Sequence, residues 1–337
     1  MPLVVVPLAP DEIGSLTMDE WDGLLACARV LFERPDHPLA ARLGAAGVAA
    51  GPFDDEPDAL RVGWALVADP GSKRVLELAR AGARVTAGAA RAPDALTAAH
   101  AAPSIRRAAS ALGSLVAVMA RLRSDDGCPW DREQTHASLT VHLLEEAYEV
   151  IDAVESSSLE ADLQEELGDV LLQVAFHARL AEQAGRFDIA DVADGIVAKL
   201  LSRHPHVFGE VEVAGASEVL RNWETIKVAE KGRADPFEGI PSALPALLAA
   251  VKTQRRAAGL GFAPREEEAR RRATEALGPE TSAGPGAADD PEASNDAEAR
   301  VGEALFWLVA VATARGVDPE AALRRATEAF RARSGAG

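Results

Sequence analysis

The stretch 163–180, LQEELGDVLLQVAFHARL, constrains this chain more than any other. At helical spacing, Leu163, Leu167, Val170, Leu171 and Val174 form one apolar stripe, and Leu172, Phe176 and Leu180 form another on the other side. A helix that is apolar on two sides is buried on two sides. Glu166 and Asp169, at i and i+3, sit beside the second stripe. Their carboxylates are therefore expected to be partly desolvated and close together. Groups in that position protonate, pair with a cation or bind a metal.

The preceding run, LLEEAYEVIDAV (143–154), is amphipathic. Leu143, Leu144, Ala147, Val150, Ile151 and Val154 make its apolar stripe, with Glu145, Glu146, Glu149 and Asp152 opposite. Taken alone, this is a helix with a solvated acidic face. If the two helices pack antiparallel, however, Glu146, Glu149, Glu166 and Asp169 face one another. Four carboxylates make an all-oxygen ligand set, suited to Mg²⁺ or Mn²⁺ and not to zinc. The alternative is a salt-bridged core.

The rest of the chain reads as mostly helical. Helices are expected near 104–123, 138–156, 159–184, 189–203, 216–231 and 242–258, with breaks at Gly127, Pro129, Ser156 to Ser158, Gly185 and Pro205. Residues 1–100 form a small α/β region. Short strands are expected at 3–6 and 62–68, helices at 18–32 and 37–46, and a helix–turn–strand over 74–88. The segment 278–297 reads as a disordered linker of Gly, Pro, Ala and acids, followed by helices near 298–315 and 319–333. The fold class is thus a helical bundle over 104–260, preceded by α/β structure and followed by further helices to 334.

Charge and composition exclude several functions. The chain carries 35 Lys and Arg against 53 Asp and Glu, a net charge of −18, which argues against a nucleic-acid partner. Two cysteines, Cys27 and Cys128, are too few for a disulfide framework or a zinc cluster. No apolar run is long enough for a membrane span. The opening residues lack the basic start of a signal peptide, so the cytoplasm is the expected location.

The order of motifs is specific. EExxE (145–149), sixteen residues, then ExxD (166–169), resembles the signature of the all-α nucleoside triphosphate pyrophosphohydrolases. GCPWDREQTH (127–136), the two acidic helices continuing to HPHVFG (204–209), and WETIKVAEK (223–231) are similar to the MazG family over roughly 110–260. That resemblance implies a helical bundle that dimerises, binds Mg²⁺ (with Mn²⁺ as a substitute) and hydrolyses (d)NTPs to (d)NMP and pyrophosphate. It makes Glu146, Glu149, Glu166 and Asp169 the metal carboxylates, with Glu145 at or next to the metal. Lys199 and Arg203, four apart on one helical face, match the positions that contact the triphosphate; otherwise they are charges on a solvated helix.

Further residues carry two readings each. Trp130 and Trp223 either stack on the base or anchor the core or a dimer interface. His204 and His206 lack further ligands for zinc and belong to a phosphate-covering loop or to structure. Asn222, Lys227 and Lys231 lie in or beside the Trp223 helix, near substrate. Cys128 has no base beside it in sequence and is not read as a nucleophile. Residues 299–333 resemble a second MazG module in which Arg300 replaces the first carboxylate of ExxD, Glu303 stands at the Asp position and Ala329 at the lysine position, with Arg333 retained. An arginine there repels a cation, so this module is expected to be inactive and kept for packing or dimerisation. The stretch 265–277 has no clear match to EExxE. The N-terminal region faintly resembles a truncated tetrapyrrole methylase domain, but PLAPDEIG (7–14) lacks the first glycines of the methylase loop, and methyl transfer is not expected. A house-cleaning pyrophosphohydrolase is the leading function; a non-catalytic nucleotide- or alarmone-binding regulator is the alternative.

Overall fold

The computed structural model describes residues 2–53, 62–155, 159–231, 235–278 and 291–334. The chain divides into two compact units, Met1–Val197 and Ala198–Gly337. The span 104–260, read from sequence as one module, is shared between them.

The first unit begins with a parallel sheet of five strands: β1 (Val4–Pro7), β2 (Arg29–Phe32), β3 (Ala50–Pro52), β4 (Trp64–Ala68) and β5 (Arg84–Val85), in the order β3-β2-β4-β1-β5. Both faces are covered, which explains why β1 and β4 read as unbroken apolar runs. On one face α1 (Met18–Leu25) and α2 (Leu39–Ala45) bury Leu24, Leu39 and Leu43 against Val6, Val30, Phe32 and Val67. On the other, α3 (Lys73–Arg80) and α4 (Ala95–Ala101) bury Val75, Ala79, Ala98 and Ala99 against Val5, Leu31 and Leu66. The helix expected over 18–32 is a correction: it ends at Leu25 and the chain returns as β2. The run Ala26-Cys27-Ala28 contains no Gly or Pro to mark that break, and a short apolar run is ambiguous between the two states.

Helix α5 (Ile105–Leu122) joins this sheet to the helical part of the same unit. Its first turn supplies Arg106, whose side chain is 3 % exposed and is paired with that of Glu20, 5 % exposed. Arg106 Nε donates to Pro7 O at 3.0 Å, and Nη1 donates to Ser15 O at 3.0 Å and Glu20 Oε2 at 3.2 Å. Glu20 also completes the capping box of α1 by accepting from the Thr17 amide at 3.1 Å, and it accepts from the Gly88 amide at 3.2 Å. Gly88 has φ +66° and a Cβ there would meet Arg106 Nη1 at 2.9 Å, so glycine is required on both counts. One ion pair thus ties together the end of β1, the start of α1, the loop after β5 and the start of α5.

At the other end of α5, Met119 packs with Leu139 and Phe176, flanked by Leu172 and Leu180. Here α6 (Pro129–Glu133), α7 (Thr140–Glu155) and α8 (Leu159–Gln183) follow. Pro129 occupies the first turn of α6, where its missing N–H is harmless. Arg123 donates from Nε to Gln183 Oε1 at 2.8 Å and from Nη1 to the Asp131 carbonyl, with its Cζ 5.3 Å from the Phe176 ring centre. Helix α9 (Ile189–Arg203) runs across the division between the units.

The second unit contains α10 (Pro205–Phe208), α11 (Ala216–Lys231), α12 (Ala246–Ala258), α13 (Glu266–Leu277), α14 (Pro291–Ala314) and α15 (Pro319–Ser334). Ala269 and Ala273 of α13 and Ala304, Val309 and Ala310 of α14 are buried. Part of the expected linker, 279–290, lies outside the described residues. From Pro291 the chain is already helical, so α14 begins seven residues before 298; proline is acceptable in a first turn and the alanines and acids that follow favour helix. Helix α13 fills the stretch that matched nothing in sequence. Among the described residues, no helix is long and apolar enough to cross a membrane.

Breaking the buried pair by Arg106→Ala should destabilise the first unit by about 3–5 kcal/mol, since Glu20 would be left buried and uncompensated; urea melts measure this. Burial raises the Glu20 carboxyl pKa, but hydrogen bonds and charge from Arg106 and the Thr17 amide outweigh it, and the net value is lowered. The stability this contributes is present above the ordinary carboxylate range and is lost as pH falls through the lowered value. Acid unfolding curves of Glu20→Gln should lack that component.

Candidate active site

Helices α7 and α8 pack as a hairpin joined through 156–158, and their acidic faces meet. Glu146 and Glu149 on α7 and Glu166 on α8 each present a carboxylate oxygen within 4.8 Å of the others. Glu146 and Glu166 are half-buried and Glu149 is exposed. The Asp169 charge acts on both Glu146 and Glu166. The Glu146 carboxyl is pushed up by burial, by its hydrogen bond with Glu149 and by the charges of Asp169, Glu149 and Glu166. Glu166 is pushed up by burial and by Glu149, Glu165, Asp169 and Asp162. Among the described residues no lysine or arginine forms an ion pair with these four groups. Their mutual repulsion and all-oxygen chemistry fit a divalent cation.

Glu145 turns elsewhere. It is exposed and accepts from His142 Nδ1 at 3.2 Å. The ring of Trp130, 54 % exposed on α6, stands edge-on to His142 with centroids 6.1 Å apart. Trp130 therefore lies at the N-terminal end of α7, beside the acidic turn and open to solvent. The loop that carries it is pinned by His136, whose Nδ1 lies 2.8 Å from His177 Nδ1 of α8, and whose Nε2 accepts from Arg186 at 2.7 Å. Gly127 in this loop passes so close to Leu122 O that a Cβ would overlap it. One turn beyond Asp169, Gln173 is 5 % exposed and its Oε1 has no hydrogen-bond partner among the described residues.

The apolar stripe expected to bury α8 on its first side behaves differently from the second. Phe176 is buried with Leu172 and Leu180 packed beside it, while Leu167, Leu171 and Val174 are exposed, as are Leu144 and Val154 of α7.

In the second unit, Arg203 and Trp223 meet. The Arg203 guanidinium lies 5.6 Å from the Trp223 ring centre and is paired with Glu230 at 2.7 Å. His204 stands edge-on to Trp223, centroids 4.9 Å apart, and its Nδ1 donates to Leu200 O at 2.7 Å. That bond and ring contact give His204 a structural role; His206 adds a ring contact at 5.6 Å. Lys199 is exposed, and its charge acts on Glu230. Asn222 is half-buried on α11, and the side chains of Lys227 and Lys231 lie outside the described residues. Cys128 is half-buried and free.

Sequence reasoning missed His142 and Glu230. His142 had a signal, being three residues before Glu145 on the same helix. Glu230 had none, since 27 residues separate it from Arg203.

The structure places EExxE on one arm of a helical hairpin and ExxD on the other, with their carboxylates converging, as the resemblance to the all-α pyrophosphohydrolases implies for this part of the chain. The comparisons agree. Residues 134–208 match the model of the MazG nucleotide pyrophosphohydrolase domain. The chain is 39% identical over 228 residues to a nucleoside triphosphate pyrophosphohydrolase of Escherichia coli K12, covering 65% of this chain and 84% of that protein. It is 40% identical over 218 residues to the nucleoside triphosphate pyrophosphohydrolase/pyrophosphatase MazG of Thermotoga maritima, covering 64% and 81%. It is 40% identical over 199 residues to a nucleoside triphosphate pyrophosphohydrolase of Mycobacterium tuberculosis, covering 58% and 55%. The chain belongs to the MazG family.

Because the carboxylates repel one another, Glu166→Gln should raise the melting temperature in the presence of a chelator. A fall would mean that Glu166 is held by an attraction and not by packing against like charge.

Proposed function

We propose that the chain hydrolyses nucleoside triphosphates to nucleoside monophosphate and pyrophosphate, clearing unwanted nucleotides from the pool, with Mg²⁺ held by Glu146, Glu149, Glu166 and Asp169. The observation that carries this is the convergence of carboxylates from both arms of α7–α8, within 4.8 Å, in a chain of the MazG family. A triphosphate brings further negative charge to that face, so cation and substrate bind interdependently. When bound, Mg²⁺ would offset this charge, lower the pKa of a water and polarise phosphate oxygens.

The chain's own residues do the rest. Glu149, the open member of the trio, accepts the proton of the attacking water at its carboxylate. Glu145 is held toward His142 Nδ1, apart from the converging trio, and acts next to the metal site and not in it. Lys199 and Arg203 bind the triphosphate and stabilise charge gathering on the departing pyrophosphate. Trp130 and Trp223 offer ring faces for the base, and stacking tolerates many bases. The exposed Leu167, Leu171 and Val174 are proposed to be covered by a second copy of the chain, forming a homodimer. A chain acting on free nucleotides is assigned to the cytoplasm.

Product analysis on a panel of NTPs and dNTPs with Mg²⁺ should give monophosphate plus pyrophosphate. Asp169→Ala should abolish turnover while the chain remains folded. Release of diphosphate and phosphate would contradict the reading, and binding without turnover would favour a regulatory nucleotide-binding protein. In light scattering the chain should measure as a dimer, and Leu171→Asp should shift it to monomer.

A further inference from the structure

Arg203 is held on one edge and free on the other. Its side chain is 13 % exposed. Nε and Nη2, the side-on edge of the guanidinium, both donate to Glu230 Oε2, at 3.0 and 2.7 Å. The other Glu230 oxygen, Oε1, accepts from Ser202 Oγ at 2.8 Å. Trp223 lies against the same guanidinium. A carboxylate on one edge and a ring beside the plane remove most of the rotation that a flexible arginine otherwise has. Among the described residues no acceptor takes Nη1, so the end-on edge, Nη1 with the second proton of Nη2, remains available. That is the edge on which arginine grips a phosphate with two parallel hydrogen bonds.

We propose that Glu230 is a positioning residue for the triphosphate: by fixing the side-on edge of Arg203, it presents the end-on edge to a phosphate group. The proposal rests on the pyrophosphohydrolase reading given above. Glu230 acts through Arg203 and does not itself touch substrate, since a second carboxylate against a triphosphate would repel it. Nor does it compete with the phosphate, because the edge it occupies is not the edge the phosphate needs. Its hydrogen bonds from Arg203 and Ser202 hold its carboxyl below the ordinary range, so it stays ionised at neutral pH.

The reach of the side chain should therefore matter more than its charge. Glu230→Gln keeps an acceptor oxygen at the same reach without the charge; Glu230→Asp keeps the charge and withdraws the oxygen by one methylene. Steady-state pyrophosphate release by the full chain should show Glu230→Gln within about threefold of wild type in kcat. Glu230→Asp should lose about tenfold or more in kcat, the scale of a misplaced catalytic contact. Glu230→Asp made in Arg203→Ala should cost nothing beyond Arg203→Ala itself. Three results would overturn the proposal: wild-type kcat in Glu230→Asp, a larger loss in Glu230→Gln than in Glu230→Asp, or additive losses with Arg203→Ala. A wild-type chain that releases no pyrophosphate overturns the functional reading and this proposal together, whereas an active wild type with indifferent Glu230 variants overturns this proposal alone.

Discussion

The meeting of like charges on the α7–α8 hairpin is the constraint to which the surrounding structure answers. Carboxylates do not gather without something to hold them there. Here the holding force is apolar: Phe176, with Leu172 and Leu180, docks α8 onto Met119 of α5 and Leu139 ahead of α7. On the opposing stripe of α8, Leu167, Leu171 and Val174 are exposed among the described residues. The carboxyls of Glu146 and Glu166 register the tension as raised pKa values. Carboxylates that repel one another in this way are the kind of group a divalent cation would relieve.

The scaffold of the first unit is anchored at two arginines, one at each end of α5. Arg106 replaces what would otherwise be several loose ends of backbone with one buried fork, satisfying Pro7 O, Ser15 O and Glu20 together. Arg123 does the corresponding work at the far end, joining α5 to Gln183 and to the Asp131 carbonyl. In the second unit, Arg300 is a third arginine that satisfies backbone carbonyls. Its Nε donates to Ala276 O at 3.1 Å and its Nη2 to the Leu277 carbonyl, so it closes the C-terminal end of α13. A cation belongs at that end of a helix, where free carbonyls point outward.

Much of this was legible in the residues themselves. The 3.6-residue period and the breaks at Ser156 to Ser158 and Gly185 located α7 and α8 to within two residues, because apolar pattern and punctuation agreed there. The convergence of Glu146, Glu149 and Glu166 followed from packing those two faces together. What escaped the sequence depends on contacts between distant positions. Glu20 and Arg106 are 86 residues apart and each, alone, is an ordinary surface residue type. The strand at Arg29–Phe32 is helical by pattern until the sheet claims it. The turning of Glu145 toward His142, away from its neighbour Glu146, is set by one helical position, about 100° of rotation, which a motif written in letters does not contain.

The central claim is that these carboxylates together hold a divalent cation. Titration of the chain with Mn²⁺, followed by the electron paramagnetic resonance signal of the free aqueous ion, tests it without reference to turnover. The account predicts that the chain removes free Mn²⁺ from solution, that Mg²⁺ displaces it, and that Glu146→Gln/Glu166→Gln loses this uptake while remaining folded. Equal uptake by the wild type and the double variant would contradict it.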